Sequence, residues 1–493
     1  MSKRKGLTLL GLALIALLGA LAFVAYRLDS TASAETAAPA PAQGLQSLAE
    51  LNGNAPSRRT LDIQSWTTAE GARVLFVAAP ELPMFDLRLT FAAGSSQDGA
   101  TPGLATLTNA MLNEGVAGKD VTAIAEGFES LGAEFGNGAY RDMAIASLRS
   151  LTAAEQRKPA LELFTQVVGA PTFPEDSLAR IKNQMLAGFE FQKQNPGKLA
   201  GLELFEKLYG THPYAHPSEG NEKSIPGISV AQLRDFHQKA YAAGNVVIAL
   251  VGDLSRADAE AIANQVSSAL PKGPALAKMP VPEPPKAGLS HIEFPSKQTH
   301  LMLAQLGIDR NDPDYAALFL GNRILGGGGF GTRLMEEVRE KRGLTYGISS
   351  GFTAMQAPGP FMIGLQTRAE MSQGTLKLIQ DIVRQYLADG PTQKELDDAK
   401  REVAGSFPLS TASNADIVGQ LGAIGFYGLP LSYLDDFMAK VQTLDTAQVK
   451  AAMAKHLDPD QFVIVTAGPT VTQKDLPPPT DKPADMPSGV PEH

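Results

Sequence analysis

The stretch AAGSSQDGATPGLATLTNAMLNEG, residues 92–115, governs the reading of this chain. Leu104, Leu107 and Met111 are spaced for the buried face of a helix, and Thr106, Asn109 and Ala110 fall at i, i+3 and i+4 on its other face. A helix with His at i and i+4 and Glu at i+3 can hold a zinc ion and a base for its bound water. Here Thr106 and Ala110 offer no imidazole nitrogen, and Asn109 is a neutral amide that cannot act as a base.

A second informative stretch is LGGGGFGTRLMEEVREKRGLTYG, residues 325–347. Gly326–Gly329 lacks the following Gly-Lys-Ser/Thr of a phosphate loop. The run is better suited to a turn with unusual backbone angles or to the close approach of an extended chain. Thr332 to Arg342 reads as an exposed, charged helix. Arg339 and Tyr346, seven residues apart, offer a fixed cationic donor fork and a phenolic donor. Taken on the residues alone, Arg339 makes a surface ion pair and Tyr346 packs at a strand start.

The length of 493 residues calls for at least two domains, and 44% hydrophobic residues suffice for large cores. A net charge of −9 argues against nucleic acid or an anionic lipid surface as the main partner, and zero cysteines exclude disulfides, thiolate nucleophiles and Cys-ligated metal. Lys3, Arg4 and Lys5 precede an apolar run from Gly6 to about Tyr26, long enough to cross a bilayer. Residues 1–34 therefore read as an uncleaved anchor or as a signal peptide cut after Ala32-Ser33-Ala34, and both place the bulk outside the cytoplasm. Residues 35–57 read as a flexible linker, 272–288 as a Pro-rich interdomain linker and 471–493 as a disordered, Pro-rich tail.

The intervening segments, 58–271 and 289–470, share a plan. Strand patterns at 72–77, 87–91 and 299–304 open them, helical patterns such as 373–387 and 446–456 fill them, and apolar runs at 246–251 and 462–467 close them. This suggests an α+β fold duplicated within the chain, each half an antiparallel sheet with helices on one face.

These features resemble the M16 (insulinase and mitochondrial-processing-peptidase-like) zinc peptidases. Further ordered matches are YGTHPYAHPSEG at 209–220, YAAGNVVIALVGDL at 241–254 and QLGAIGFYGLPLSYL at 420–434. The resemblance implies two similar α/β-sandwich domains forming half of a clam-shaped chamber. It also implies that 106–110 is the position of the His-x-x-Glu-His zinc motif, here degenerate. The third family ligand would fall near Ala187 or Gly188, with Glu190 the nearest carboxylate, so neither metal nor other cofactor is expected in this chain. His212 and His216 are each followed by Pro and do not share a helical face; His300 reads as packed in a strand, and His456 as sitting at a helix end.

By the same resemblance, Arg339 and Tyr346, with Arg342 as the fallback for the arginine, match the pair that binds the substrate backbone beside the scissile bond and stabilises the transition state. The implied role is a non-catalytic subunit of a heterodimeric metalloendopeptidase, periplasmic and inner-membrane anchored, acting on unfolded peptides with zinc supplied by the partner. The alternative is a non-enzymatic peptide-binding or scaffold protein with the same fold.

Overall fold

The computed structural model describes residues 60–480. The apolar N-terminal run and the whole of the first linker lie outside the described residues, as do 481–493. Among the described residues no helix is long and apolar enough to cross a membrane.

The N-terminal half contains β1 (Gln64–Thr67), β2 (Arg73–Ala78), β3 (Met84–Phe91), α1 (Leu104–Ala110), α2 (Val121–Glu129), β4 (Glu134–Ala139) and β5 (Ala144–Leu151). It continues with α3 (Ala154–Gly169), α4 (Glu175–Gln192), α5 (Pro196–Tyr209), α6 (Val230–Ala240), β6 (Val246–Gly252) and α7 (Arg256–Ala269). The C-terminal half contains β7 (Gly288–Glu293), β8 (Gln298–Leu306), α8 (Tyr315–Asn322), β9 (Ile348–Phe352) and β10 (Pro360–Arg368). It ends with α9 (Ser372–Asp389), α10 (Gln393–Ser406), α11 (Asn414–Tyr427), α12 (Tyr433–Thr443), α13 (Thr446–His456) and β11 (Val463–Gly468).

The first sheet has the order β1-β2-β6-β3-β5-β4 and the second β9-β10-β8-β11-β7. Read from the opposite edge, the second repeats β2-β6-β3-β5-β4 of the first. In each half only the pair joining the early strand to the closing strand is parallel, β2 with β6 and β7 with β11. A shared strand order with the parallel pair in the same place is what a duplicated unit would keep.

The expectation of helices on one face only is corrected. Each half keeps its own helices on one face, where Phe76, Leu87, Leu89, Phe164 and Val167 form the first core. The opposite face is covered by a helix from the other half. Ile417, Val418, Leu421 and Ile424 of α11 pack on Leu75, Val77, Val247 and Val251. Reciprocally, Ala200, Leu204 and Leu208 of α5 pack on Ala304, Val463 and Val465. This explains why Val246–Gly252 is buried at every residue and shows no polar alternation: both of its faces are dry.

Both exchanged helices are specified locally. Asn195 accepts from Lys198 N at the start of α5, with Pro196 at the first helical position, and Ser413 and Asp416 form a capping box on α11. Glycine lets α11 approach closely: a Cβ on Gly425 would lie 2.3 Å from Val247 Cγ1.

A buried polar cluster ties the halves together. Asp142 accepts from Tyr214 Oη and from Gln356 N at 2.7 Å, and Ala357 N donates to Tyr214 Oη at 3.3 Å. Burial pushes the Asp142 carboxyl above the usual range, opposed by these donors and by adjacent Arg141.

The tail expectation is also corrected in part. Residues 471–480 lie along the C-terminal half: Lys474 N donates to Glu370 O at 2.8 Å, and Leu476 packs against the second core.

Candidate functional site: a zinc helix without ligands and an arginine-tyrosine pair

Gly103 leads into α1 with φ of +91°, and a Cβ there would meet Ile225 Cδ1 at 2.7 Å and Glu219 O at 2.9 Å, so glycine is required. Asp98 caps the helix from beneath, accepting from Gly103 N and Ala105 N, each at 2.7 Å. Its side chain is fully buried, and burial raises its pKa to about 7 despite the two donors.

All three degenerate positions are used for structure. Thr106 Oγ1 donates to Ser218 O at 2.6 Å, tying α1 to the 209–220 loop. Asn109 is 3% exposed; its amide donates to Ile145 O at 3.2 Å and to Tyr241 Oη at 3.1 Å. Asn137 Nδ2 in turn donates to Asn109 O at 2.6 Å, fixing α1 against β4. A glutamate at 109 would have no donor for the Ile145 carbonyl. Ala110 packs its methyl group against the cluster that holds Leu107, Met111 and Ile225.

No third ligand compensates. Glu190 is exposed and shares Lys193 with Glu222. His212 uses both ring nitrogens, Nε2 on Pro280 O at 2.9 Å and Nδ1 as acceptor from Tyr214 N at 3.1 Å. His216 lies 3.8 Å from Asp98, and burial lowers its pKa. The residues present do not fit a zinc ion here. Among the described residues the sole group of three metal-type side chains is Asp312, Asp314 and His456, in the other half, and there Asp314 already pairs with Lys455 at 2.7 Å and His456 at 3.0 Å.

The 325–347 stretch departs from regular helix. π-helical turns occupy Arg323–Gly327 and Met335–Glu340, on either side of the glycine loop. Such turns recur at functional sites. In the second turn the winding brings residues five apart into register: Lys341 Nζ meets Glu336 at 2.9 Å, and Arg342 meets Glu337 at 2.6 Å. Arg342 also donates to Glu337 O at 2.8 Å and is 14% exposed, so the fallback arginine is held in the fold.

Arg339 is placed differently. Its guanidinium stacks over Tyr346 at 4.9 Å and over Phe330 at 4.8 Å, and no carboxylate among the described residues lies within ion-pair distance. Tyr346 and Phe330 are 73% and 72% exposed, so the stack faces outward rather than into a core. Its polar edges remain available as donors. The sequence paired Arg339 with Tyr346; it did not single out Phe330, whose signal was an aromatic residue set between Gly329 and Gly331, both with φ of +81°. β9 begins two residues after Tyr346 and is an edge strand.

The model for the insulinase (peptidase family M16) domain matches residues 73–222, and that for the peptidase M16 inactive domain matches 227–403. A crystal structure of a peptidase M16 inactive domain from Pseudomonas fluorescens is 76% identical, with a TM-score of 0.83 over 85% of this chain and 100% of that one. The chain belongs to peptidase family M16. The non-peptidase homolog YmxG of Helicobacter pylori is 27% identical over 382 residues, 76% of this chain and 87% of its own length. The periplasmic protease PqqL of Escherichia coli shares the fold, with a TM-score of 0.70 at 15% identity over 85% of this chain and 47% of that protein. Likeness to an M16 inactive domain and to a non-peptidase homolog makes this chain a non-catalytic member of the family.

Proposed function

We propose that this chain is the zinc-less subunit of a two-chain M16-type metalloendopeptidase. A partner bearing the intact His-x-x-Glu-His helix supplies the zinc. This chain supplies chamber wall, the open edge of β9 and the Arg339/Tyr346 pair. The observation that carries the reading is Arg339, stacked between two exposed rings with no carboxylate partner among the described residues, while its neighbours Lys341 and Arg342 are neutralised. An arginine held in this way at the surface beside an edge strand suits a ligand with a polar backbone.

An unfolded peptide pairs to such an edge by backbone hydrogen bonds. Arg339 and the Tyr346 phenol then donate to a peptide carbonyl and stabilise the charge that develops on its oxygen. The proposed location is the periplasmic side of a bacterial inner membrane, reached through residues 1–34, as anchor or as cleaved signal.

The test is recovery of the tagged full chain from its host in mild detergent, followed by peptide turnover. A near-stoichiometric partner with intact zinc motif is expected, and Arg339→Ala with Tyr346→Phe should lower turnover without loss of assembly. Unchanged turnover by the double variant refutes the assignment and leaves the scaffold reading.

A further inference from the structure

On the face of the first sheet that receives α11, side chains fall in cross-strand rows. Asp86, Arg149 and Glu134 form one row, Arg88, Ser147 and Gly136 the next, and Thr90, Ile145 and Gly138 the third. In the first row charge is matched: Arg149 takes both oxygens of Asp86, Nε on Oδ1 at 3.0 Å and Nη2 on Oδ2 at 3.4 Å. Arg88, one row on, has no such partner. Among the described residues it makes no hydrogen bond and no ion pair, and its Nε is sealed from solvent. Thr90 Oγ1, in a residue 1% exposed, is likewise unpartnered.

Both groups lie under α11 at Gly422, where a Cβ would come within 3.0 Å of Arg88 Nε and 3.1 Å of Thr90 Oγ1. The glycine leaves room for the guanidinium without giving it an acceptor. Burial lowers the Arg88 pKa, against which the nearby Tyr140 phenol works, yet the arginine stays charged. A partly buried cation without a counter-charge costs stability that a methionine of similar reach avoids. From the β4 side the way to Arg88 leads over Ser147, Gly136 and Gly138, which keep partial exposure and carry little side chain. Tyr140, 58% exposed, borders it: a Cβ on Gly138 would lie 3.5 Å from its ring.

We propose that Arg88 anchors a carboxylate-binding site on this face, where the outer, Nη edge of its fork takes an acidic side chain or the terminal carboxylate of a bound peptide. A carboxylate matches the fork through two parallel hydrogen bonds and supplies the charge that the Arg88 row lacks. A single free cation suits one negative charge, since the neighbouring Arg149 is already spent on Asp86. The proposal rests on the reading above only for the peptide that carries the carboxylate.

The test uses the full chain without a zinc-bearing partner. Rhodamine-labelled peptides of one sequence are compared by fluorescence anisotropy: a central Glu with amidated C-terminus, a central Gln with amidated C-terminus, and a central Gln with free C-terminus. The Glu peptide, the free-acid peptide or both should bind at least about tenfold more tightly than the neutral one, and the one that gains names the source of the carboxylate. Arg88→Met should bring the affinities together, whereas Arg339→Ala should leave their ratio unchanged. Without peptide, Arg88→Met should unfold at the same urea concentration as wild type or at a higher one.

Equal affinity for charged and neutral peptides, or binding by none, overturns the proposal. So does a preference lost in Arg339→Ala and kept in Arg88→Met, which places the carboxylate at the arginine-tyrosine pair. A clear fall of the urea midpoint in Arg88→Met also overturns it, since Arg88 is then a structural residue. None of these readouts requires turnover, so failure of the two-chain peptidase reading and failure of the carboxylate site are told apart.

Discussion

Helix α11 contains two glycines for which the same substitution should have opposite effects. At Gly419 nothing lies within 4 Å of an added Cβ, whereas at Gly425 the Cβ would lie 2.3 Å from Val247 Cγ1 and 3.1 Å from Leu75 Cδ1. In both places alanine gains about 0.5–1 kcal/mol of helix propensity over glycine. At Gly425 this is offset by overpacking against β6 and β2, which costs about 1–3 kcal/mol because Val247 is held between its sheet neighbours. Gly419→Ala should therefore stabilise by about 0.5–1 kcal/mol, and Gly425→Ala should destabilise by up to about 2 kcal/mol net. The assay is urea unfolding followed by circular dichroism, with midpoints compared at equal slopes. If Gly425→Ala is as stable as Gly419→Ala, the packing of α11 on the opposite half's sheet is refuted. A general dislike of alanine in this helix would move both variants the same way, so the pair controls for it.

Asn109→Leu removes the amide's two hydrogen bonds, to the Ile145 carbonyl and the Tyr241 hydroxyl; a loss of about 1–3 kcal/mol in thermal or urea unfolding is expected, and no loss would mean the amide is not needed. Thr106→His with Ala110→His places two imidazoles one turn apart, yet lacks both the third ligand and the base, so weak zinc uptake by calorimetry with no peptide hydrolysis is expected. Asp98 has a folded pKa of about 7, above its ordinary value, so the folded chain binds more protons than the unfolded one between about pH 4 and 7. Stability contributed by its protonated form is therefore lost as pH rises through that window, by up to about 1.4 kcal/mol for each pH step of one crossed. His216 and His237, lowered by burial, work in the opposite sense, so the readout is the difference between wild type and Asp98→Asn across pH 5–8; parallel stability curves would contradict it.

Much of the fold was legible locally. The strands at 72–77, 246–251 and 299–304 and the helices at 373–387 and 446–456 stand where periodicity put them, because the patterns are strong and the caps are in the sequence. The residue types at 106, 109 and 110 could be read directly, and the structure brings Arg339, paired with Tyr346 in the sequence, over that ring. What was not legible depends on distant partners. Asn109 is locked by Tyr241, 132 residues away, and nothing near Asn109 announces it. The apolar faces of α5 and α11 show that they are buried but do not say against which sheet. The unbroken run at 246–251 held an unused clue, since a strand without alternation needs a cover on each side. The π winding of Met335–Glu340 escaped because its Glu and Lys/Arg spacings also suit an ordinary helix face, and a one-residue change in pitch decides which arginine is spent.

The reciprocal exchange of α5 and α11 makes the polypeptide behave as a clasp rather than as beads on a string. A protease cut in the Pro-rich stretch between the halves would sever the backbone without parting the pieces, because each fragment wears a helix belonging to the other's surface. Either piece produced alone would carry an uncovered apolar sheet and an orphan amphipathic helix, a combination prone to self-association. Co-expressed fragments should find one another and reconstitute the whole. The duplicated half is in this sense no longer an independent object: the smallest thing that can fold here is the couple.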